Sequence, residues 1–249
     1  AEQEAQMGMH HDGMHFFAQN GSQSGLLVMN HEYVDHGLLF TDGDKTWNAA
    51  KVRKSQAAHG VSVIEVEQKN GAWDVVRPSP WARRITANTP MSLGGPAAGH
   101  ALMKTAADAA GRKVLGTLNN CASGITPWGT YLTCEENFIF YFKGPDQPTA
   151  HEARWGLRKG DPVGYRWHEF DERFDATRHP NEPHRFGWVV EIDPNNPSSV
   201  PVKRSALGRA AHEGATTVLT QAGRAVVYMG EDARFEYIYK FVSRDAVKP

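Results

Sequence analysis

Short stretches in which apolar and polar residues alternate dominate the hydrophobic pattern, and long helical periods rich in leucine are few. Residues 60–67 alternate in this way, as expected for a half-buried strand. Asn70 and Gly71 follow, a pair that favours the tight turn of a hairpin, and residues 73–77 form the predicted returning strand. The pattern therefore predicts a β-hairpin over residues 60–77.

Other short apolar runs, separated by turns rich in Gly, Pro and Asn, predict further strands. These strands cover residues 13–17, 25–32, 130–133, 185–193, 200–204, 215–220, 224–232 and 236–242. An insertion at residues 78–111 contains a predicted helix at residues 96–110, and residues 33–60 are predicted as a loop with a short helix. A second insertion, residues 143–186, lacks periodicity, and long loops of this kind are usually functional or mobile.

One β-rich segment occurs three times along the chain, each time with a glutamate at the same place. The aligned copies are residues 27–33, 131–137 and 226–232. Their shared glutamates are Glu32, Glu136 and Glu231. Taken singly, each glutamate is explained as a solvated residue at a strand end, but three in register favour a shared role.

Each copy is also preceded by a triplet of residues and followed by a further strand. The middle residue of the triplet is a potential metal ligand every time: Asp12, Cys121 and Glu213. The strands that follow are residues 61–66, 187–192 and 236–241. The repeat thus predicts that all six side chains, three from the triplets and three glutamates, face one cavity.

A repeated unit of three or four short antiparallel strands with variable insertions describes a blade of a β-propeller. We therefore predict an all-β fold, a partial β-propeller over residues 1–249. Its blade-like units span about residues 11–77, 117–204 and 208–249, with insertions at about 78–111 and 143–186. Because propellers typically need four to eight blades, three units leave the ring open. We expect the remaining blades from a longer chain or from another subunit.

Composition excludes several classes of function. The 249 residues carry a net charge of −1, which argues against nucleic acid or an anionic membrane as partner. No apolar run approaches the ~20 residues of a membrane-spanning helix. The chain begins Ala-Glu-Gln-Glu without a signal-peptide pattern, so any targeting segment is missing or has been removed. Cys121 and Cys134 could form a disulfide, supply a metal thiolate or be buried thiols.

The segment 117–137 carries the most distinctive chemistry. Its predicted hairpin brings the thiol of Cys121 to the same end as the carboxylates of Glu135 and Glu136. Carboxylates suit calcium or magnesium, whereas a thiolate among them suits a transition metal such as iron. Such a mixed centre can stabilise charge on a transferring phosphoryl group. Arg209 and Arg234 could bind phosphate oxygens bidentately, or they could be ordinary surface arginines.

Several motifs together resemble the PhoX-type alkaline phosphatases. They lie at residues 12–17, 30–32, 118–137, 208–214 and 228–232. The resemblance implies a six-bladed propeller, a centre of Fe(3+) with Ca(2+), and hydrolysis of phosphate monoesters. It also implies a bacterial protein exported to the periplasm or secreted by the twin-arginine route.

The resemblance also assigns individual residues. Cys121 matches the iron-binding cysteine of the family, and Glu136 and Glu213 match metal-binding glutamates, Glu213 as an iron or calcium ligand. Glu32, Glu231 and Asp232 are assigned as ligands mainly from the repeat. Family members are considerably longer, and their remaining ligands and phosphate-binding arginines lie towards the C-terminus, so this chain would hold part of a site.

The leading hypothesis is thus a metal-dependent phosphomonoesterase whose substrate is a small phosphate ester. Its cations would bind the phosphate oxygens as Lewis acids while an oxygen nucleophile attacks phosphorus in line. Two alternatives stay open. The first is a calcium-dependent propeller hydrolase of lactones or other esters, and the second is a non-catalytic binding propeller stabilised by calcium.

Overall fold

The computed structural model describes residues 2–247, and strands make up most of its regular structure. Ala1 lies outside this range, as do positions 248 and 249 at the end of the predicted third unit. Short α-helices interrupt the strands at α1 (His36–Leu39), α2 (Ala49–Ala58) and α3 (Ala150–Arg154). Across residues 2–247, no helix is long and apolar enough to span a membrane. The prediction of an all-β fold is confirmed, with the helices confined to connections.

The first sheet contains the predicted hairpin. Its strands β1 to β4 pair in chain order and antiparallel, and β5 pairs with β3. Their bounds are β1 His11–Gln19, β2 Ser24–His31, β3 Gly60–Lys69, β4 Ala72–Val75 and β5 Arg83–Ile85. The hairpin prediction is confirmed, since β3 pairs with β4 across the Asn70–Gly71 turn.

The second sheet has the order β7-β6-β11-β10-β9-β8. Its strands are β6 Pro90–Gly94, β7 Lys113–Leu115, β8 Asn120–Ile125, β9 Tyr131–Glu135, β10 Val189–Ile192 and β11 Val202–Arg204. Neighbours are antiparallel except β6 and β11, which are parallel. The insertion at 78–111 therefore adds a strand to this sheet.

The third sheet has the order β12-β13-β14, with β12 Thr216–Leu219, β13 Arg224–Gly230 and β14 Ile238–Ala246. In each sheet, one strand contains or follows the triplet (β1, β8 and β12). It pairs with the strand that ends just before the repeated glutamate (β2, β9 and β13). That strand in turn pairs with the predicted third strand of its copy. The aligned segments thus occupy equivalent positions in three antiparallel units.

The helix predicted at residues 96–110 is wrong. The segment forms only a short 3₁₀ turn, Ala101–Met103, after His100, whose backbone is extended at ψ 150°. The amide of Gly99 donates to the carbonyl of Gly111 at 2.8 Å, so the segment folds back on itself. Asp108 fixes this loop by accepting from two backbone amides and by an ion pair with the buried side chain of Arg185. Tertiary contacts therefore override the local helical preference.

Residues 143–186 are not a loosely attached loop. Besides α3, the segment contains 3₁₀ turns at Trp167–Glu169, Glu172–Phe174 and Pro183–Arg185. Its side chains Leu157, Trp167 and Phe174 are buried in a hydrophobic core that also includes residues from α2, β6 and β7. Aromatic packing, rather than regular secondary structure, orders this insertion.

Two smaller cores join the sheets, one between the first and second and one between the second and third. Backbone segments of neighbouring sheets approach each other closely at two glycines. A Cβ at Gly13 of β1 would lie 2.7 Å from the backbone of Ser123 in β8, and a Cβ at Gly124 would lie 2.0 Å from the carbonyl of Ala215. Glycine is therefore needed at both positions so that β1, β8 and the segment before β12 can lie side by side.

Candidate metal centre

The site is built around a bulge in β8. The pairing of β8 with β9 runs in register from Ser123 to Ile125, breaks, and resumes at Asn120. Bulges re-aim side chains, and Cys121 lies in this one. The carboxamide of Asn30 in β2 supports it by donating to the carbonyls of Cys121 and Ala122 at 2.6 and 3.1 Å.

Acidic side chains converge on the sulfur of Cys121. Two overlapping groups form, and within each group one potential ligand atom from every residue lies within 4.8 Å of the others: Asp12 with Glu32 and Cys121, and Cys121 with Glu136 and Glu213. The thiol lies 3.3 Å from Oδ2 of Asp12 and 3.5 Å from Oε1 of Glu213. We call these five residues the acidic group.

The acidic group draws on all three sheets. Asp12 lies in β1, Glu32 directly follows β2, and Glu136 directly follows β9. Glu213 precedes β12, where its amide donates to the carbonyl of Gly230 at 3.0 Å. The repeat thus brings together the three triplet residues and two of the three glutamates. Asp12 is not among the ligands that the family resemblance assigns, but the repeat identifies it.

The carboxylates of this group raise one another's pKa. Burial raises the pKa of Glu136 to about 8, helped by the neighbouring carboxylate of Asp232 and by the charges of Glu213 and Glu32. The pKa of Glu32 is raised by burial and by the charges of Asp12 and Glu213. Burial also raises the pKa of the Cys121 thiol, with the same carboxylates adding to the effect.

This arrangement fits bound cations. Burial and neighbouring acids account for every contribution to the raised pKa of Glu32, Glu136 and Cys121. A cation would offset this repulsion and would favour the ionised forms of all three groups. Four carboxylates suit hard cations such as calcium, and the one thiolate adds a soft donor that suits iron.

Glu135 does not join its neighbour in the acidic group. It is fully buried, and its Oε1 accepts from Nζ of Lys203 at 2.6 Å. Its Oε2 accepts from the amides of Gly187 and Trp188 at 2.9 and 3.0 Å. The expectation that both glutamates of the hairpin lie at one metal site is therefore corrected, because successive strand residues point to opposite faces.

Glu231 and Asp232 lie at the margin of the acidic group. The carboxylate of Asp232 is close enough to Glu136 to contribute to its raised pKa. Glu231 is influenced instead by the charges of Glu236 and Arg154, and its raised pKa results mainly from burial. Both residues share a cavity with Glu136.

The two predicted phosphate-binding arginines have different surroundings. The guanidinium of Arg209 donates to the carbonyls of Phe186 and Pro183 at 2.8 and 2.9 Å. It also lies 4.8 and 4.6 Å from the ring centroids of Phe138 and Trp155. Burial lowers its pKa to about 9. Arg234 is exposed in the connection between β13 and β14.

Both cysteines are free thiols, which rules out the disulfide alternative. Cys134 is fully buried between the second and third sheets, in the same core as Leu132 and Val227. It is a core residue, as its alignment with Asn30 and Met229 in the repeat predicts.

The buried hydroxyl of Tyr141 contacts the chain segments that carry two members of the acidic group. The Tyr141 hydroxyl lies 3.4 Å from the carbonyl of Glu32, 3.3 Å from Nδ2 of Asn119 and 3.0 Å from Nε2 of His59. The backbone carbonyl of Asn119 in turn accepts from the backbone amide of Glu136 at 3.0 Å. Tyr141 therefore connects the backbone segments that carry two of the acids. Nothing in the local sequence pattern marks Tyr141 or His59 for this role.

The whole sequence of this chain matches a known protein family. Over residues 1–249 the sequence matches the family described as alkaline phosphatase PhoX. The chain belongs to the PhoX family. The resemblance inferred from the motifs is therefore confirmed.

Structural comparison agrees with this assignment. The PhoX-family chain is similar to a solved structure, "Pseudomonas fluorescens PhoX in complex with vanadate, a transition state analogue", with a TM-score of 0.95 and 52% sequence identity. The match covers 99% of this chain and 43% of that one, so the chain spans less than half the length of this PhoX relative. No curated protein matches the sequence.

Proposed function

We propose that the protein carrying this chain hydrolyses phosphate monoesters and releases inorganic phosphate, as an alkaline phosphatase. The observation that carries the proposal is the convergence of one thiol and four carboxylates from three sheets in a chain of the PhoX family. The relative's complex with vanadate, a transition state analogue, supports a phosphoryl-transfer reaction in particular.

We assign Cys121, Glu136, Glu213 and Glu32 as ligands of a centre of Fe(3+) and Ca(2+), and we add Asp12. Asp232 and Glu231 are assigned as ligands at its margin. When bound, the cations supply positive charge to the phosphate oxygens and to the developing transition state. The protein's own contribution is to hold the thiol and the carboxylates in place through the bulge at Cys121, the carboxamide of Asn30 and the hydroxyl of Tyr141.

The three antiparallel units are proposed as blades of a β-propeller, over about residues 11–77, 117–204 and 208–249. The remaining blades would come from a longer chain or from another subunit, and six are expected in all from the family. The assignment of Arg209 and Arg234 to phosphate binding stays a prediction. Export to the bacterial periplasm or medium by the twin-arginine route is proposed from family membership alone.

Phosphatase activity and metal content of the full-length protein test the proposal together. We expect hydrolysis of 4-nitrophenyl phosphate, and elemental analysis should find both iron and calcium. Cys121→Ala should lose iron and most activity, whereas Cys134→Ala, which removes a buried thiol from the core, should retain both. Full activity in Cys121→Ala would exclude the assigned role of the thiol. Stability that depends on calcium, without turnover of any phosphate ester, would instead favour a binding propeller.

A further inference from the structure

A cavity of about 510 Å³ adjoins the acidic group. Glu136, Glu231 and Asp232 are among the residues that line it, so it lies directly beside the proposed metal centre. Another part of the lining comes from α3 and the residues that follow it, including Arg154 and Arg158. We call this space the α3 cavity.

The two arginines of the α3 cavity differ in their partners. Nη2 of Arg154 forms an ion pair with Oε1 of Glu236 at 2.9 Å, so its charge is already balanced. Arg158 is exposed, and within residues 2–247 its guanidinium has no ion pair or side-chain hydrogen bond. A guanidinium presents planar, paired donors that match a carboxylate or a phosphate. Arg158 is therefore the group available to an anionic part of a ligand.

Apolar side chains also line the α3 cavity. Phe140 and Val163 are 39% and 49% exposed although both are large and hydrophobic. The ring of Trp155 lines the cavity as well. Concave sites that combine apolar walls with a few placed charges are typical of small-molecule binding sites. The lining thus suits a molecule with an apolar body.

The walls of the α3 cavity are ordered before any ligand binds. Thr149 and Glu152 form a reciprocal capping box at the start of α3. Leu157, next to Arg158, and Phe142, on the cavity wall, are both buried in the large hydrophobic core. A preformed wall reduces the ordering cost of binding.

We propose that the α3 cavity binds the organic leaving group of the phosphomonoester. It favours leaving groups that have an apolar or aromatic body and a second negative charge, which Arg158 contacts. This inference rests on the proposed function, because it places the phosphoryl end of the same molecule at the acidic group. Arg158 is thereby assigned as a residue that determines specificity.

Two matched substrates test the proposal in the full-length protein: phenyl phosphate and 4-carboxyphenyl phosphate, which differ by one carboxylate. In Arg158→Gln, the ratio of kcat/KM for the carboxylated ester to that for phenyl phosphate should fall about tenfold, mainly through KM. Arg158→Lys should retain part of the preference. Lys159→Gln is the control, since Lys159 is 71% exposed, pairs with Asp146 and does not line the cavity.

The outcomes separate this inference from the proposed function. If the wild-type protein hydrolyses both esters but Arg158→Gln leaves their ratio unchanged, the leaving-group role is wrong and the phosphatase assignment stands. If Lys159→Gln changes the ratio as much as Arg158→Gln, the effect is one of general surface charge and the inference fails. A wild-type protein that hydrolyses neither ester overturns both.

Discussion

Nδ2 of Asn30 donates a buried hydrogen bond of 2.6 Å to the carbonyl of Cys121. Its second proton goes to the carbonyl of Ala122, and its Oδ1 accepts from the hydroxyl of Thr133 at 2.9 Å. Oδ1 also lies 3.0 Å from the hydroxyl of Tyr131, whose proton it shares with the carbonyl of Gly13 at 2.7 Å. All the hydrogen-bonding capacity of the carboxamide is used. One side chain thus compensates the two carbonyls at the bulge, where the ladder is interrupted.

Replacing Asn30 by Ala should therefore disturb the metal centre. Two buried carbonyls would lose a partner, at a cost of about 3 kcal/mol in the free energy of unfolding. Because the bulge aims Cys121, we also expect iron content to fall. Val28→Ala is the matched control: Val28 is a fully buried residue of β2 in the core between the first two sheets. Urea unfolding and elemental analysis of Asn30→Ala and Val28→Ala provide the comparison. Equal iron loss in both variants would contradict the role of Asn30 in positioning Cys121.

The buried ion pair of Lys203 and Glu135 makes a second prediction. Lys203→Met should lower the free energy of unfolding by about 3–5 kcal/mol, because it leaves a buried carboxylate without its counter-charge. The double variant Glu135→Gln with Lys203→Met should recover much of that loss, since the amide oxygen can still accept from Gly187 and Trp188. Denaturant unfolding of the two variants provides the comparison. A double variant no more stable than the single one would show that the charge is not the source of the loss.

Metal removal should expose the repulsion within the acidic group. Without cations, Glu136→Gln removes a carboxyl group whose ionised form is disfavoured in the folded protein, since burial and the neighbouring acids raise its pKa to about 8. The melting temperature should therefore rise by a few degrees. With calcium and iron added, the order should reverse, because the variant lacks one of the proposed ligands. Melting curves with and without a chelator test both statements. Glu67→Gln, a β3 residue paired with Lys69, is the control and should show neither effect. A Glu136→Gln variant that melts with wild type under both conditions would remove Glu136 from the centre.

A pH dependence of stability follows from His59. Burial lowers its pKa from 6.5 to about 3, so the folded protein keeps the imidazole neutral while the unfolded chain takes up a proton below pH 6.5. Stability should therefore be lost as the pH falls from 6.5 towards 3, by about 1.4 kcal/mol per unit from this group. In His59→Gln this part of the slope should disappear. Unfolding at pH 7 and pH 5 measures it, with the exposed His100→Gln as reference.

Local signals in the sequence predict much of the fold. The β3–β4 hairpin, the β8–β9 hairpin and the three strands of the third sheet depend on turns and alternation within a few residues. The parallel pairing of β6 with β11 could not be predicted this way, because it joins segments more than a hundred residues apart. The same holds for residues 143–186, whose order comes from aromatic packing between distant segments.

The acidic group can be predicted from the sequence for a different reason. Its members recur at equivalent positions of a repeat, and equivalent positions meet when the units pack side by side. The ion pair of Glu135 with Lys203 could not be predicted, because it joins residues 68 positions apart in the sequence. Likewise, Asn30 and Tyr141 act through backbone carbonyls, which any residue type provides.

The distribution of the acidic group over three sheets has a consequence for biosynthesis. Asp12 is translated before Glu213, and about 200 residues separate them in the sequence. A nascent chain can therefore offer partial ligand sets but not the assembled group. The cations that occupy the centre should be those present where folding is completed, so the cellular location of folding would select the metals.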